Sequence, residues 1–216
     1  MSIYFGDALS RSWGFFIKIF DDISKLLILI ALSLVPVINL IVFGYGADII
    51  RRGEEVDEPP PLEDLGRLFI DGLKILLIIF IYTIPLIILY TIILSRIIPA
   101  RVWFTIQELI FAPWVVWVTL FYIGLFFFPI LILIYMFAAM AIIHSIKTDS
   151  LSRAFEFGEI WSLIMDVGLS NYILWALVMV IGGLIVFSSS WLIQAILTPI
   201  YVIIFSRSAY YIYPSR

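Results

Sequence analysis

The sequence predicts an all-α fold, a polytopic membrane helical bundle with about six transmembrane helices and several amphipathic interfacial helices. Of the 216 residues, 63% are hydrophobic and 13% are charged, whereas a soluble domain carries roughly 25% charged residues. The mean hydropathy is +1.14. A soluble domain of this length has too little interior for so many Ile, Leu, Val and Phe side chains, so much of the apolar surface must face lipid. We therefore expect one integral-membrane domain over residues 1–216.

The charge and the residue inventory exclude several classes of protein. A net charge of −3 and a pI near 5.1 provide no basic field for phosphate backbones, so no nucleic-acid partner is expected. The absence of cysteine excludes disulfides and thiolate metal ligands. Asp7, Arg11 and Lys18 interrupt the N-terminal region, so no cleavable signal peptide is predicted. Few amides, no cysteine and abundant Ile favour a hot-growing source, although membrane composition alone also depletes amides.

Long uncharged runs predict the membrane spans, because about 20 apolar residues are needed to cross the hydrocarbon core. Leu26–Ala47 and Ile75–Ser95 each have that length. The uncharged run Val167–Ser206 is about twice as long, and three serines at 188–190 interrupt it where two spans would turn. These runs predict four spans.

The run from residue 109 to residue 143 is too long for one straight crossing of ~30 Å. Gly124 and Pro129 lie near its middle, where a break is favoured. We therefore predict two short spans there, 103–126 and 128–146, which brings the total to six. With six spans, nine Lys and Arg residues lie on the side of both termini and four on the other, which favours cytoplasmic termini. A single crossing in this region would give five against eight and reverse the orientation.

Three segments that precede spans are amphipathic: Asp7–Phe20, Leu62–Leu73 and Leu151–Asp166. Each has an aromatic-aliphatic stripe on one face and charges on the others. Only the membrane interface satisfies both kinds of face, so we predict helices that lie in the headgroup layer and do not extend the spans.

The most polar stretch is the acidic, Pro-rich loop at 51–71. Oxygen-rich loops can hold hard cations, but this one lacks the ligand alternation and turn glycine of a calcium loop, and a solvated connection is the favoured interpretation. The single histidine, His144, lies near a span end with Asp149 nearby and does not supply a catalytic triad. We therefore predict no enzyme activity, no cofactor and no metal site.

Few polar groups lie at membrane depth. Asn39, Gln194 and Thr198 are the deepest. Four intramembrane prolines could either kink packed helices or break them and expose carbonyl groups, as in transporters. These prolines are Pro36, Pro85, Pro129 and Pro199.

A set of short motifs resembles the mostly archaeal integral-membrane family catalogued as Domain of Unknown Function 4013. Gly-Tyr at 44–45 leads to Arg-Arg-Gly at 51–53, an acidic loop, Gly-Leu-Lys at 72–74, and later Ala-Phe at 154–155 and Ala-Tyr at 209–210. Three consecutive prolines stand where the family pattern has one. The resemblance implies a compact helical membrane domain and carries no catalytic residue. The candidate structural or interface residues are Gly44, Tyr45, Arg51, Arg52, Gly72, Lys74, Tyr82, Pro85, Phe155 and Tyr210.

Two functional hypotheses follow. The first is a non-enzymatic, self-assembling membrane scaffold or complex subunit, a homo-oligomer in the cell membrane with lipids as partners. It depends on the lack of deep charge and on small residues that permit close helix contact. The alternative is a small channel or carrier for a solute, suggested by the intramembrane prolines and Asn39. The small residues are Gly182, Gly183, Ala138, Ala139 and Ala141.

Overall fold

The computed structural model describes residues 4–97 and 113–214. Within these two ranges the chain forms eight α-helices and no strand, which confirms the predicted all-α fold. Short 3-10 turns occupy Lys18–Asp22, Gly53–Glu55 and Leu151–Phe155. The helices are α1 (Phe5–Ile17), α2 (Ile23–Ser33), α3 (Leu40–Arg52), α4 (Leu65–Ile97), α5 (Pro113–Lys147), α6 (Phe157–Val167), α7 (Leu169–Ser188) and α8 (Trp191–Ile212).

The chain divides into two compact units. The first combines Met1–Ile78 with Met136–Arg216, and the second is Ile79–Tyr135. In the first unit, α8 is central and packs against α1, α2, α3 and α7. Its core is built by large apolar side chains from α1, α2, α3 and α8. In the second unit, the Tyr90 and Phe127 rings meet edge to face, with centroids 5.5 Å apart.

Four described helices are long and apolar enough to cross a membrane: Leu65–Ile93 within α4, Gly124–Lys147 within α5, α7 and α8. The predicted turn between the last two spans is confirmed, because Ser189 and Ser190 have extended backbone between α7 and α8. The described residues thus contain four candidate spans and not six.

The span predicted at Leu26–Ala47 is wrong. The segment forms two short helices, α2 with 11 residues and α3 with 13, joined by a turn at 34–39. At 1.5 Å per residue they are about 16 and 20 Å long, too short for a core of ~30 Å. Pro36 lies in the turn, where its ring and missing N–H oppose a continuous helix. The tip is apolar, and its Val37 is 64% exposed.

The α2–α3 pair is a hairpin that returns to the end of the unit where it starts. Before α2, Lys18 donates a hydrogen bond from Nζ to the carbonyl oxygen of Asp57 at 3.0 Å. In the first turn of α2, Lys25 donates from Nζ to the carbonyl oxygen of Pro59 at 2.7 Å. The loop that contains both carbonyls directly follows Arg52, the last residue of α3. The start of α2 and the end of α3 therefore meet at one loop.

The two short spans predicted at 103–126 and 128–146 are also corrected. From residue 113 onward this part of the chain is one helix, α5, which passes through Gly124 and Pro129 without a break. Residues 103–112 lie outside the described ranges. A proline removes one backbone hydrogen bond, and a membrane helix tolerates this loss where local adjustment satisfies the freed carbonyl. Pro85 and Pro199 likewise lie inside continuous helices.

The three segments predicted to form separate interfacial helices differ in the structure. Asp7–Phe20 forms α1 and the start of a 3-10 turn, and is separate from α2. Leu151–Asp166 forms a 3-10 turn and α6, which Gly168 with φ +90° separates from α7. The prediction for Leu62–Leu73 is wrong, since its helical part is the first part of α4 and is collinear with the span. No proline occurs between residues 62 and 84, so the helix continues from this segment into the span. An in-plane orientation of α1 and α6 stays a prediction.

Candidate functional site at the polar end of the first unit

Two glycines place the backbones of α3 and α4 in contact. A Cβ added at Gly44 would lie 1.7 Å from the carbonyl oxygen of Leu68, and one added at Gly72 would lie 1.9 Å from that of Leu40. Only glycine fits such a crossing, because any side chain would overlap a backbone atom. The crossing brings the charged end of α3 beside the charged start of α4.

A buried carboxylate lies at the centre of this charged region. Asp71 in α4 is 5% exposed. Arg51 donates from both Nη atoms to Asp71 Oδ2, at 3.1 and 3.0 Å, and Lys74 donates from Nζ to Oδ1 at 3.3 Å. Arg67 approaches Oδ2 at 4.0 Å. A buried carboxylate needs such partners, because removing a charge from water is costly.

The same region holds a second buried carboxylate and a small cavity. Asp48 is also 5% exposed and accepts a hydrogen bond from Arg52 Nε at 2.7 Å. Asp149, in the turn after α5, lies 3.6 Å from Arg51 Nη2. Arg51, Asp71, Lys74 and Asp149 line a cavity of about 10 Å³, which has room for roughly one water molecule.

Side chains from neighbouring helices fix the backbone of the acidic loop. Tyr45 in α3 donates its hydroxyl to the carbonyl oxygen of Pro60 at 2.8 Å. At the start of the loop, Gly53 has φ +57°, and the Tyr210 ring lies 2.3 Å from where its Cβ would be. The Gly53 carbonyl accepts a hydrogen bond from Arg207 Nη1. Together with Lys18 and Lys25, these contacts tie the loop to three helices and a 3-10 turn.

The loop carboxylates point outward. Within residues 4–97 and 113–214, none of the five carboxylates between residues 54 and 63 forms an ion pair, and all five residues are exposed. They are Glu54, Glu55, Asp57, Glu58 and Glu63.

Arg207 is a buried cation in α8, with 4% exposure. Its guanidinium carbon lies 4.5 Å from the centroid of the Phe15 ring and 5.0 Å from that of Tyr211. In the part of the chain that the structure describes, no carboxylate lies within ion-pair distance of it. Aromatic faces and a backbone carbonyl therefore offset its charge.

A second polar cluster involves the single histidine. His144, in the last turn of α5, is 2% exposed. Its Nδ1 lies 2.9 Å from the hydroxyl of Tyr213, and its Nε2 lies 3.5 Å from Glu159 Oε2. Arg153 Nη1 donates to Glu156 Oε2 at 2.8 Å and to Glu159 Oε2 at 3.2 Å. Hydrogen bonding with Glu156 and the positive charge of Arg153 lower the pKa of Glu159, so this carboxylate is ionised at neutral pH.

The structure brings together most of the residues that the sequence analysis singled out. Gly44, Tyr45, Arg51, Arg52, Gly72, Lys74 and Tyr210 all contribute to the crossing, the charged region or the loop. Phe155 is half-buried in the 3-10 turn before α6, in the same unit. Tyr82 and Pro85 lie further along α4, in the second unit.

The sequence analysis missed the carboxylates that organise the charged region. Asp48 precedes Arg51 and Arg52 by three and four residues, and Asp71 precedes Lys74 by three. This spacing puts opposite charges side by side on a helix. An Asp three or four residues before an Arg or Lys, in an otherwise apolar helix, is the sequence signal that could have revealed these two carboxylates.

The small residues proposed for contacts between copies are used within the chain. A Cβ at Gly183 would lie 3.0 Å from the Tyr201 hydroxyl. Tyr201 in turn donates to the carbonyl oxygen of Met179 at 3.0 Å. The alanines at 138, 139 and 141 are 2%, 8% and 0% exposed. These positions pack the unit itself and are not free for a second copy.

The fold and this polar end define a class: a polytopic, all-helical membrane protein whose charges gather at one end of a helical unit. The chain belongs to the DUF4013 family, described as "Protein of unknown function", whose family model matches residues 28–207. Comparison with curated proteins and with solved structures found no match. The suggested family is thereby confirmed, and it brings no activity with it.

Proposed function

We propose that this chain is a non-enzymatic subunit of an assembly in the cell membrane, and that it presents the acidic loop to a partner protein at the membrane surface. The observation that carries the proposal is the contrast within the loop at 53–64. Lys18, Lys25, Tyr45 and Arg207 bond its backbone carbonyls from below, while its carboxylates face outward without ion pairs among the described residues. A loop fixed before binding loses little conformational entropy on binding, which favours recognition.

The charge of the loop indicates the chemistry of the partner. Five carboxylates within ten residues complement a segment rich in Lys or Arg, and such pairs mainly set specificity and association rate. Among the described residues, the exposed Arg67 and Arg153 already approach or pair with carboxylates of this chain. The partner at the loop is therefore a different polypeptide.

Copies of the chain associate through membrane-depth surfaces and not through the loop, since like-charged loops repel. In α4, 17% of the most apolar window is buried by its own chain. The outer side chains include Leu76, Phe80 and Ile88, which are 48%, 58% and 54% exposed. Such an apolar helix face packs either against lipid or against a neighbouring copy of the chain.

The charges that flank the four candidate spans support one orientation in the membrane. If α4, α5, α7 and α8 cross and the α2–α3 hairpin returns to its starting side, all Lys and Arg residues except Arg96 and Arg101 fall on the side of both termini. This asymmetry is larger than the one that six spans produced. Because cytoplasmic segments are enriched in Lys and Arg, this asymmetry supports a cytoplasmic side for the termini and the acidic loop.

A site-specific photo-crosslinker at Glu58 in native membranes tests the proposal. We expect one discrete adduct whose partner peptide is basic, and we expect Glu54→Gln with Glu55→Gln to reduce it strongly. The matched control, Asp7→Asn with Asp21→Asn, removes the same charge from exposed positions outside the loop and should retain the adduct. Absence of an adduct, or equal loss in the control, would contradict a recognition role for the loop.

Native mass spectrometry in lipid nanodiscs tests self-association. We expect the wild-type chain and the Glu54→Gln, Glu55→Gln variant to give the same multiple of the 24.8 kDa chain mass. Monomers at every protein concentration would contradict self-association, and a lower multiple in the variant would place the contact at the loop.

A second candidate, a small channel or carrier, is favoured by one observation. Asn39, at the end of the hairpin turn, has a buried Oδ1 without a hydrogen-bond partner in the described ranges. Non-helical backbone at membrane depth is tolerated where it is buried in protein or lines a water-filled cavity, and a cavity at this turn would hydrate the Asn39 oxygen. Ion or solute flux in proteoliposomes that falls with Asn39→Leu would support this candidate, and equal flux in protein-free liposomes would exclude it for the solutes tested.

A further inference from the structure

We propose that His144, Glu156 and Glu159 form a binding site for a divalent transition-metal ion of the zinc type. One donor atom from each residue, an imidazole nitrogen and two carboxylate oxygens, can be chosen so that all lie within 4.8 Å of one another. Imidazole nitrogen and carboxylate oxygen are both zinc ligands, and zinc sites with three protein ligands keep a fourth position open to water.

The buried imidazole is the observation that sets this cluster apart from an ordinary surface group of acids. The His144 side chain is 3% exposed, and its Nε2 has no hydrogen-bond partner in the described part of the chain. The nitrogen lies 3.5 Å from Glu159 Oε2, outside hydrogen-bonding geometry. A buried polar atom without a partner is unfavourable, and a metal ion at this position would bind its lone pair.

The other imidazole nitrogen is held in a way that suits this role. Nδ1 of His144 lies 2.9 Å from the Tyr213 hydroxyl. If Nδ1 carries the proton and donates to that hydroxyl, the lone pair of Nε2 faces the carboxylates. Metal-binding histidines in proteins are commonly oriented by such a hydrogen bond from the second nitrogen.

The ligands come from separate elements of the first unit. His144 lies at the end of α5, Glu156 immediately precedes α6, and Glu159 lies in the first turn of α6. The Glu side chains are 42% and 32% exposed, so an ion reaches them from solvent. Tyr213 follows α8. A bound ion would therefore link α5 to α6 and, through Tyr213, to the end of α8.

The donor set selects the class of metal. A neutral imidazole suits zinc and similar transition metals, whereas Mg²⁺ and Ca²⁺ prefer oxygen ligands alone. The chain has one histidine and no cysteine. A spectroscopic signature of imidazole ligation can therefore come only from His144.

Arg153 competes with the ion. Its Nη1 bridges the two carboxylates at 2.8 and 3.2 Å and takes the positive position that a metal would occupy. The Arg153 side chain is 48% exposed, so it can move into solvent. Removal of this guanidinium should strengthen metal binding, which is the opposite of what a purely structural ion pair would show.

The experiment uses the full chain in detergent, without an affinity tag and stripped with a chelator. Co²⁺ is titrated while its visible absorption is recorded, and Zn²⁺ is then added in competition. We expect a Co²⁺ band that Zn²⁺ removes, binding weakened at least ~tenfold by Glu159→Gln, and binding tightened severalfold by Arg153→Gln. Asp21→Asn, which changes an exposed carboxylate in the 3-10 turn after α1, is the control and should bind like wild type.

Two outcomes would overturn the site. One is a wild-type chain that binds Co²⁺ and Zn²⁺ no more tightly than the Glu159→Gln variant. The other is an Arg153→Gln variant that binds more weakly than wild type. His144→Gln should abolish the imidazole signature, and if that buried variant does not fold, the two exposed variants decide the question by themselves.

Discussion

Replacing Gly44 by alanine is the most direct test of the α3–α4 crossing. The new Cβ would lie 1.7 Å from the Leu68 carbonyl oxygen, and real Cβ atoms essentially never approach closer than 3.0 Å, so the helices must separate by at least the difference of 1.3 Å. The obstructing atom belongs to the backbone and cannot rotate away. Overpacking costs about 1–3 kcal/mol, and an obstruction by backbone atoms belongs at the upper end of that range, about 3 kcal/mol. The higher helix propensity of alanine returns about 1 kcal/mol. We expect a net loss of about 2 kcal/mol in the free energy of unfolding.

Thermal unfolding in detergent, followed by tryptophan fluorescence at one scan rate, measures this loss. For a chain of this size, 2 kcal/mol corresponds to an apparent Tm lowered by roughly 4–8 °C. Gly14→Ala in α1 is the matched control, because an added Cβ there meets nothing within 4 Å, and its Tm should stay or rise. Gly72→Ala lies at the same crossing, so the double variant should lose less than the sum of the single losses. A Gly44→Ala chain as stable as wild type would refute the contact between backbones.

Two further predictions concern the charged region and the hairpin. Asp71→Asn leaves Arg51 without its closest carboxylate and should lower the free energy of unfolding by on the order of 3 kcal/mol. The control Asp57→Asn, on the exposed loop, should change the free energy of unfolding by less than ~0.5 kcal/mol. Equal denaturation midpoints for the two variants would contradict the structural role of Asp71. The native chain has no cysteine, so Ser24→Cys and Glu54→Cys can be labelled separately with a membrane-impermeant maleimide. The hairpin requires both to react from the same side of sealed vesicles, and labelling from opposite sides would restore Leu26–Ala47 as a span.

The membrane class, the helical fold and the last two spans were predictable from the sequence alone. An apolar stretch in lipid must satisfy its own backbone hydrogen bonds, and a helix does so within the segment. Length and hydropathy therefore suffice for α7 and α8, and the serines at 188–190 end one helix and begin the next. The family motifs also pointed to a real helix contact, since Gly44 lies against Leu68 and Gly72 against Leu40 at the α3–α4 crossing.

The tertiary structure decided how the remaining apolar runs are divided. Hydropathy does not distinguish Pro36, at which the chain turns, from Pro129, through which α5 continues. Each proline removes one backbone hydrogen bond, so whether the helix ends or continues there depends on the residues packed around the proline. At the hairpin, Lys25 anchors the start of α2 to the loop that follows α3, which favours a return over a crossing.

Only the tertiary structure assembled the polar clusters. Arg51 and Asp71 are 20 residues apart and lie on different helices, and they meet because the glycine crossing lets two backbones touch. His144 and Glu159 are 15 residues apart, on either side of a turn whose path depends on packing. Local sequence specifies which helices form, because backbone hydrogen bonds and side-chain hydropathy act over a few residues. Which buried charges pair depends on contacts between helices, and those exist only after the helices have packed.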